Sequence, residues 1–283
     1  GIEFKFDNNL DLVKPIIQKA NKKGIMTAEI DESMAKNYNI SYKMDHGVLV
    51  PLYFVDKLYK DYKLIHITYG MLAPKDLYRF GMIIQETVEK SNEKVVILAS
   101  GDLSHKLSSD GPYAYSPHGR IFDEKIVDIL SCGAMDEIIG FDLSLAEKAG
   151  ECGLRSLMIM AGTLDNLKLS PKVLSYEGPY GVGYATAKIE VVGIGRKKDT
   201  IREIEKKVEE RVKGIRDRED GYVKLARQSL EYYLECGEYL PVPDNLPTEL
   251  LNERKAVFVT LKKDGILRGC IGTTEPRRID CSN

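Results

Sequence analysis

The sequence predicts an α/β fold followed by a charged helical connector and a small, partial α+β module. Three observations carry this. Val95-Val-Ile-Leu-Ala99 is a short apolar run bounded by turn residues, the pattern of a buried strand in a parallel sheet. Just before it, Pro74 to Glu93 places Leu77, Phe80, Ile83, Ile84 and Val88 on one inward helical stripe. Eighteen of the twenty-five residues from Arg196 to Asp220 are charged and nearly balanced in sign, with Ile201, Ile204, Val208 and Ile215 at helical spacing. That pattern is a solvated connector helix rather than a disordered tail. It divides the chain into residues 1–195, the connector 196–220 and residues 221–283.

Composition narrows the function classes. At 283 residues, one large domain or one plus part of another is expected, since domains run to roughly 100–200 residues. A 43% hydrophobic content suffices for real cores, and a formal net charge of −2 argues against nucleic acid as the main partner. No apolar stretch approaches the roughly 20 residues that span a bilayer, and no signal peptide opens the sequence. The five cysteines (Cys132, Cys152, Cys236, Cys270, Cys281) are odd in number and lack ligand-pair spacing, which fits a reducing cytoplasm better than a disulfide framework.

In chain order, Ile2-Glu-Phe-Lys-Phe6 reads as a strand, and with Gly rather than Met at position 1 the chain is expected to begin inside a fold. Asp7-Asn-Asn9 offers an N-cap to a helix carrying Leu10, Leu12, Val13, Ile16 and Ile17. Ala28-Glu-Ile30 is a short strand, Val48 to Val55 an apolar helix with Pro51 in its first turn, and Lys63 to Tyr69 a strand bearing His66. After His105, Asp110 to Arg120 is a Gly-, Pro- and Tyr-rich loop suited to cover a pocket. Phe122 to Leu130, Ala134 to Ile139 and Ser144 to Lys148 are helical, and Val173-Leu-Ser-Tyr176 with Tyr184 to Val192 closes the sheet. Beyond the connector come a helix (Tyr222 to Leu234), a Pro-rich loop and a β-hairpin turning at Asp264-Gly265. One helix and one hairpin do not make a stable domain, so this part is expected to be incomplete.

The chemistry-bearing residues collect around Ser100-Gly-Asp-Leu-Ser-His105. In open α/β sheets ligands bind beyond the carboxyl ends of the strands, which places Asp102 and His105 at a pocket. Histidine titrates near neutrality and serves as acid or base without extreme tuning. The alternative is that Ser100, Asp102 and Ser104 cap the following helix. Asp45-His46 stands at the entrance of its apolar helix, where Asp45 either orients the ring or is an N-cap. Tyr115 and His118 sit in the candidate lid. Glu151 and Cys152 are metal-competent and precede an apolar helix, whose dipole Glu151 alternatively answers.

As a set, Asp45-His46-Gly, Ser100-Gly-Asp-Leu-Ser-His105-Lys, Gly150-Glu-Cys-Gly-Leu-Arg155 and Tyr176-Glu-Gly-Pro-Tyr-Gly-Val-Gly-Tyr184 resemble the catalytic subunits of class III (LigB-type) extradiol dioxygenases, close to their Memo-like branch. Leu267-Arg-Gly-Cys-Ile-Gly-Thr273 with Glu275-Pro276 resembles the opening half of an AMMECR1 domain. The pairing is similar to the fused proteins of AmmeMemoRadiSam systems. This resemblance implies a mixed-sheet α/β sandwich and a mononuclear Fe(II), with Zn²⁺ and hydrolytic chemistry as an alternative. It implies His105 as the base that takes a catechol proton, His46 as a second pocket histidine, and Glu151 or, as its substitute, Cys152 as metal ligand; read from the residues themselves, Asp45, Asp102, Ser104, Tyr115 and His118 are the candidate substrate pocket. In the family the two histidine ligands lie in segments upstream of where this sequence starts, so weak or no iron binding is expected of the chain as it stands. In the AMMECR1-like part, Arg268 and Cys270 either recognise an anion and react, or serve as ion-pair and packing residues. A small aromatic substrate, a radical SAM partner protein and an oligomer are the implied associations. A non-catalytic partner of such a radical SAM enzyme is the second functional reading.

Overall fold

The computed structural model describes residues 4–276 except 245, 247, 254, 264 and 265. The chain forms two compact units, Gly1–Thr200 and Ile201–Asn283. The class is mixed α/β, as expected.

The first unit contains α1 (Leu10–Lys22), α2 (Glu32–Asn37), α3 (His46–Asp56), α4 (Pro74–Glu89), α5 (Pro117–Cys132), a 3₁₀ turn (Met135–Gly140), α6 (Leu143–Ala149) and α7 (Leu154–Thr163). An antiparallel hairpin of β1 (Leu167–Glu177) and β2 (Tyr184–Ile194) follows. The core is the crossing of α4 and α7. Leu77, Tyr78, Phe80, Ile83 and Ile84 of α4 are buried, as are Leu157, Met158, Ile159 and Ala161 of α7. Two glycines let the helices touch backbone to backbone: a Cβ on Gly81 would lie 2.1 Å from the Ile159 carbonyl oxygen, and one on Gly162 2.0 Å from that of Tyr78. At the end of α7, buried Asp165 accepts hydrogen bonds from Tyr78 Oη (2.8 Å) and Thr200 Oγ1 (2.6 Å).

The helices lie close to where their spacing placed them, but the sheet does not. Val95 to Ala99 is neither helix nor assigned strand, and Val95 to Leu98 is exposed. Lys63 to Tyr69 contributes one parallel bridge, in which Leu64 N–H donates to the Asp7 carbonyl and Leu64 carbonyl accepts from Asn9 N–H. Among the described residues, 65–69 and 95–99 make no backbone–backbone hydrogen bond. Phe4 to Phe6 and Ala28 to Ile30 are unpaired as well, and Ile2 and Glu3 lie outside the described residues. A β-branched run dictates an extended backbone, whereas a strand also needs a partner. The expected parallel sheet is therefore replaced, among the described residues, by β1–β2 pairing with itself. His66, in the segment expected as a strand, is exposed.

The second unit contains all but the first residue of α8 (Thr200–Arg216), then α9 (Gly221–Cys236), the short α10 (Thr248–Asn252) and an antiparallel pair, β3 (Phe258–Lys263) and β4 (Ile266–Gly272). Asp220 caps α9 by accepting from Val223 N–H at 2.8 Å. Arg227 grips Glu219 with two nitrogens and reaches Glu231, which also receives Arg216. The Asp264-Gly265 turn, Cys281 and the polar end lie outside the described residues.

Candidate metal centre

Segment 101–107 is irregular backbone held between two turns. On one side, Leu103 N–H donates to Gly183 carbonyl, Gly183 N–H to Ser104 carbonyl and Leu107 N–H to Gly181 carbonyl. On the other, His105 N–H donates to Ala149 carbonyl and Cys152 N–H to Asp102 carbonyl. The turns approach closely because they are glycine: a Cβ on Gly101 would lie 2.5 Å from Gly153 Cα. From below, the buried Asp123 carboxylate accepts Ser104 N–H at 2.7 Å and Tyr176 Oη at 2.8 Å.

This bracing brings Asp102, His105 and Cys152 together, with one ligand atom of each within 4.8 Å of the others. His105 Nε2 lies 3.4 Å from Asp102 Oδ2. It is buried and has no hydrogen-bond partner, an expensive state for an imidazole nitrogen unless a ligand or proton donor completes it. Cys152 Sγ accepts the Asp102 N–H at 3.2 Å. Burial pushes the Cys152 thiol up, against the lowering effect of that hydrogen bond.

The other expected site residues are placed as follows. Glu151 Oε2 accepts from Leu154 N–H at 2.6 Å, so it caps α7 rather than joining the cluster, and burial raises its carboxyl pKa. Ser104 is fully buried with its hydroxyl donating to Ala149 carbonyl, which makes it a brace and not a pocket wall. Asp45 caps α3 through Val48 N–H, and His46 beside it is exposed. Their corner is nonetheless tied to the site, since Ser100 Oγ donates to Gly47 carbonyl at 2.5 Å. His118 belongs to the first turn of α5, with Nδ1 3.3 Å from Ser116 Oγ. Tyr115 is exposed and makes no ring contact with His105. In the second unit Arg268 and Cys270 both lie exposed on β4, and Cys270 Sγ is 3.3 Å from Thr260 Oγ1 across the pair. The expected packing role for Cys270 does not hold. The described cysteines are free thiols.

Sequence reasoning missed three tyrosines. Tyr113 stacks on His105, with ring centroids 5.2 Å apart and planes 20° from parallel. Tyr69 Oη donates to Cys152 carbonyl at 2.7 Å, and its pKa is raised by burial and then by the neighbouring Cys152 and Glu151. Tyr184 is raised by burial and by Asp102 and Cys152 beside it. The signal for Tyr113 was present, since the loop carries two tyrosines, but spacing does not tell which one folds back.

The family model described as the catalytic LigB subunit of aromatic ring-opening dioxygenase matches residues 1–187, and AMMECR1 matches 223–280. The chain belongs to the LigB family. A Clostridium acetobutylicum protein is 42% identical over 277 residues, covering 98% of this chain and 59% of that protein, so the chain spans about six-tenths of its length. The 3,4-dihydroxyphenylacetate 2,3-dioxygenase of Escherichia coli is 26% identical over 187 residues, 62% of this chain and 64% of its own. A MEMO1 family protein of Methanococcoides burtonii is 26% identical over 156 residues, 48% and 55% respectively. The chain is thus a LigB/Memo-like domain joined to an AMMECR1-like part. LigB dioxygenases are typically metal-dependent, and the cluster fits such a group: a carboxylate, an imidazole and a thiol converge, and one buried nitrogen lacks a partner. Among the described residues no helix is long and apolar enough to cross a membrane.

Proposed function

We propose that the LigB-like unit is the metal-dependent site of an extradiol-dioxygenase-like oxidoreductase acting on catechol-like aromatics. The observation that carries this reading is the convergence of Asp102, His105 and Cys152 with an unpartnered, buried His105 Nε2. Cys152 and the Asp102 carboxylate would hold the metal, Fe(II) by family resemblance. Such an ion would supply Lewis acidity toward an aromatic diol.

His105 is the base. Its Nε2 takes a proton from a substrate hydroxyl, and Asp102 Oδ2 at 3.4 Å stabilises the imidazolium that results. The backbone bonds from His105 to Ala149 and from Ser104 to Asp123 fix the position from which that proton is accepted. Tyr69, bonded to the Cys152 carbonyl, holds the thiol-bearing turn. His46 lies outside the cluster and would serve as a second pocket histidine.

Two donors from this chain, Cys152 and Asp102, would give a weak site. The AMMECR1-like unit would supply the contact with a radical SAM partner, with Arg268 and Cys270 exposed for it. Oxygen uptake with catechol, measured on Fe(II)-loaded protein, tests the enzymatic reading. Uptake that His105→Ala abolishes supports it. An iron-loaded protein without uptake favours the partner-protein reading instead.

A further inference from the structure

If His105 is a base, its Nε2 must be reachable, yet in the structure that atom is buried. Most of what surrounds it is fixed. Its own N–H is bonded to Ala149 carbonyl, Asp102 is tied through backbone and N–H to Cys152, and the 181–183 turn is laddered onto 103–107. The stacked Tyr113 ring is the neighbour free to leave. Tyr113 is 52% exposed and stacked on His105, and its hydroxyl makes no hydrogen bond among the described residues.

The segment carrying Tyr113 is suited to such movement. Ser116 N–H donates to Lys106 carbonyl and Leu107 N–H to Gly181 carbonyl, both at 3.0 Å, so residues 107–116 are closed at the base. Between these anchors there is no helix or strand. Compact surface loops of this length with joined ends are frequently functional.

We propose that residues 107–116 form a lid whose Tyr113 ring covers His105 in the resting protein and turns onto the aromatic ring of the substrate, making Tyr113 a specificity-determining residue. This rests on the reading of the site as one for aromatics. Planar rings can replace the lost stack, and saturated diols with the same hydroxyl spacing cannot.

The test is diethyl pyrocarbonate modification of the four histidines, read peptide by peptide in wild type, Tyr113→Ala and Tyr113→Phe. His105 should react about two- to tenfold faster in Tyr113→Ala, the effect of losing one stacked pair. His46, His66 and His118 should keep their rates, and Tyr113→Phe should match wild type. Catechol should protect His105 in wild type, cyclohexane-1,2-diol should not, and Tyr113→Ala should weaken the catechol protection. Equal His105 rates in wild type and Tyr113→Ala overturn the lid. Protection that is absent, or that is unchanged in Tyr113→Ala, overturns the specificity role. These readouts need neither oxygen nor turnover. Loss of oxygen uptake with the modification pattern intact therefore sinks the dioxygenase reading and leaves the lid standing.

Discussion

Asp123 holds the loop on which the candidate centre is built, although it is not one of the clustered donors. Its carboxylate satisfies Ser104 N–H and Tyr176 Oη in a fully buried position. Asp123→Ala strands both donors and is expected to cost about 3 kcal/mol, read as a lowered urea midpoint. Asp123→Asn keeps one acceptor and should cost about half of that. Burial raises the Asp123 pKa, against the two hydrogen bonds that favour its charge. A carboxyl raised in the folded state adds stability that is complete below the ordinary aspartate value of about 3.9 and is lost as pH rises through the folded value. Wild-type urea midpoints should therefore fall across that window relative to those of Asp123→Asn. Residue identity was only partly legible from sequence. His105, Asp102 and Cys152 stood out by type, but whether Glu151 or Asp102 completes the cluster depends on which carboxylate a helix N-terminus claims. Glu151 lies three residues before Leu154 and is taken by its N–H.

Among the elements, the crossing of α4 and α7 sets the core. Gly81→Ala would drive a Cβ to 2.1 Å from the Ile159 carbonyl, backbone that has no rotamer in which to yield. The variant should lose about 3 kcal/mol of stability, seen as a lower unfolding temperature, and an alanine that leaves this temperature unchanged would contradict the packing. The helices were legible because a 3.6-residue stripe needs only its own sequence and one apolar neighbour. Short α2 and α10 were not, being too brief to show a period. Val95 to Ala99 shows the opposite limit, since its residues favour extension but carry no information about the strand that would pair with them.

Across the whole molecule, two compact units carry the two family matches, and the charged run from Arg196 includes helix α8. The LigB-like unit brings a carboxylate, an imidazole and a thiol just beyond the 95–99 segment, where the sequence expected a pocket, although no sheet is paired there among the described residues. The measurement that tests the central claim most directly is a Co²⁺ titration of the metal-free chain, read through thiolate-to-cobalt charge transfer. We expect a weak, saturable band that disappears in Cys152→Ser, weakens in Asp102→Asn and persists in His105→Ala. A band that survives Cys152→Ser, or none in wild type, would contradict the centre, and one abolished by His105→Ala would make His105 a ligand rather than the base.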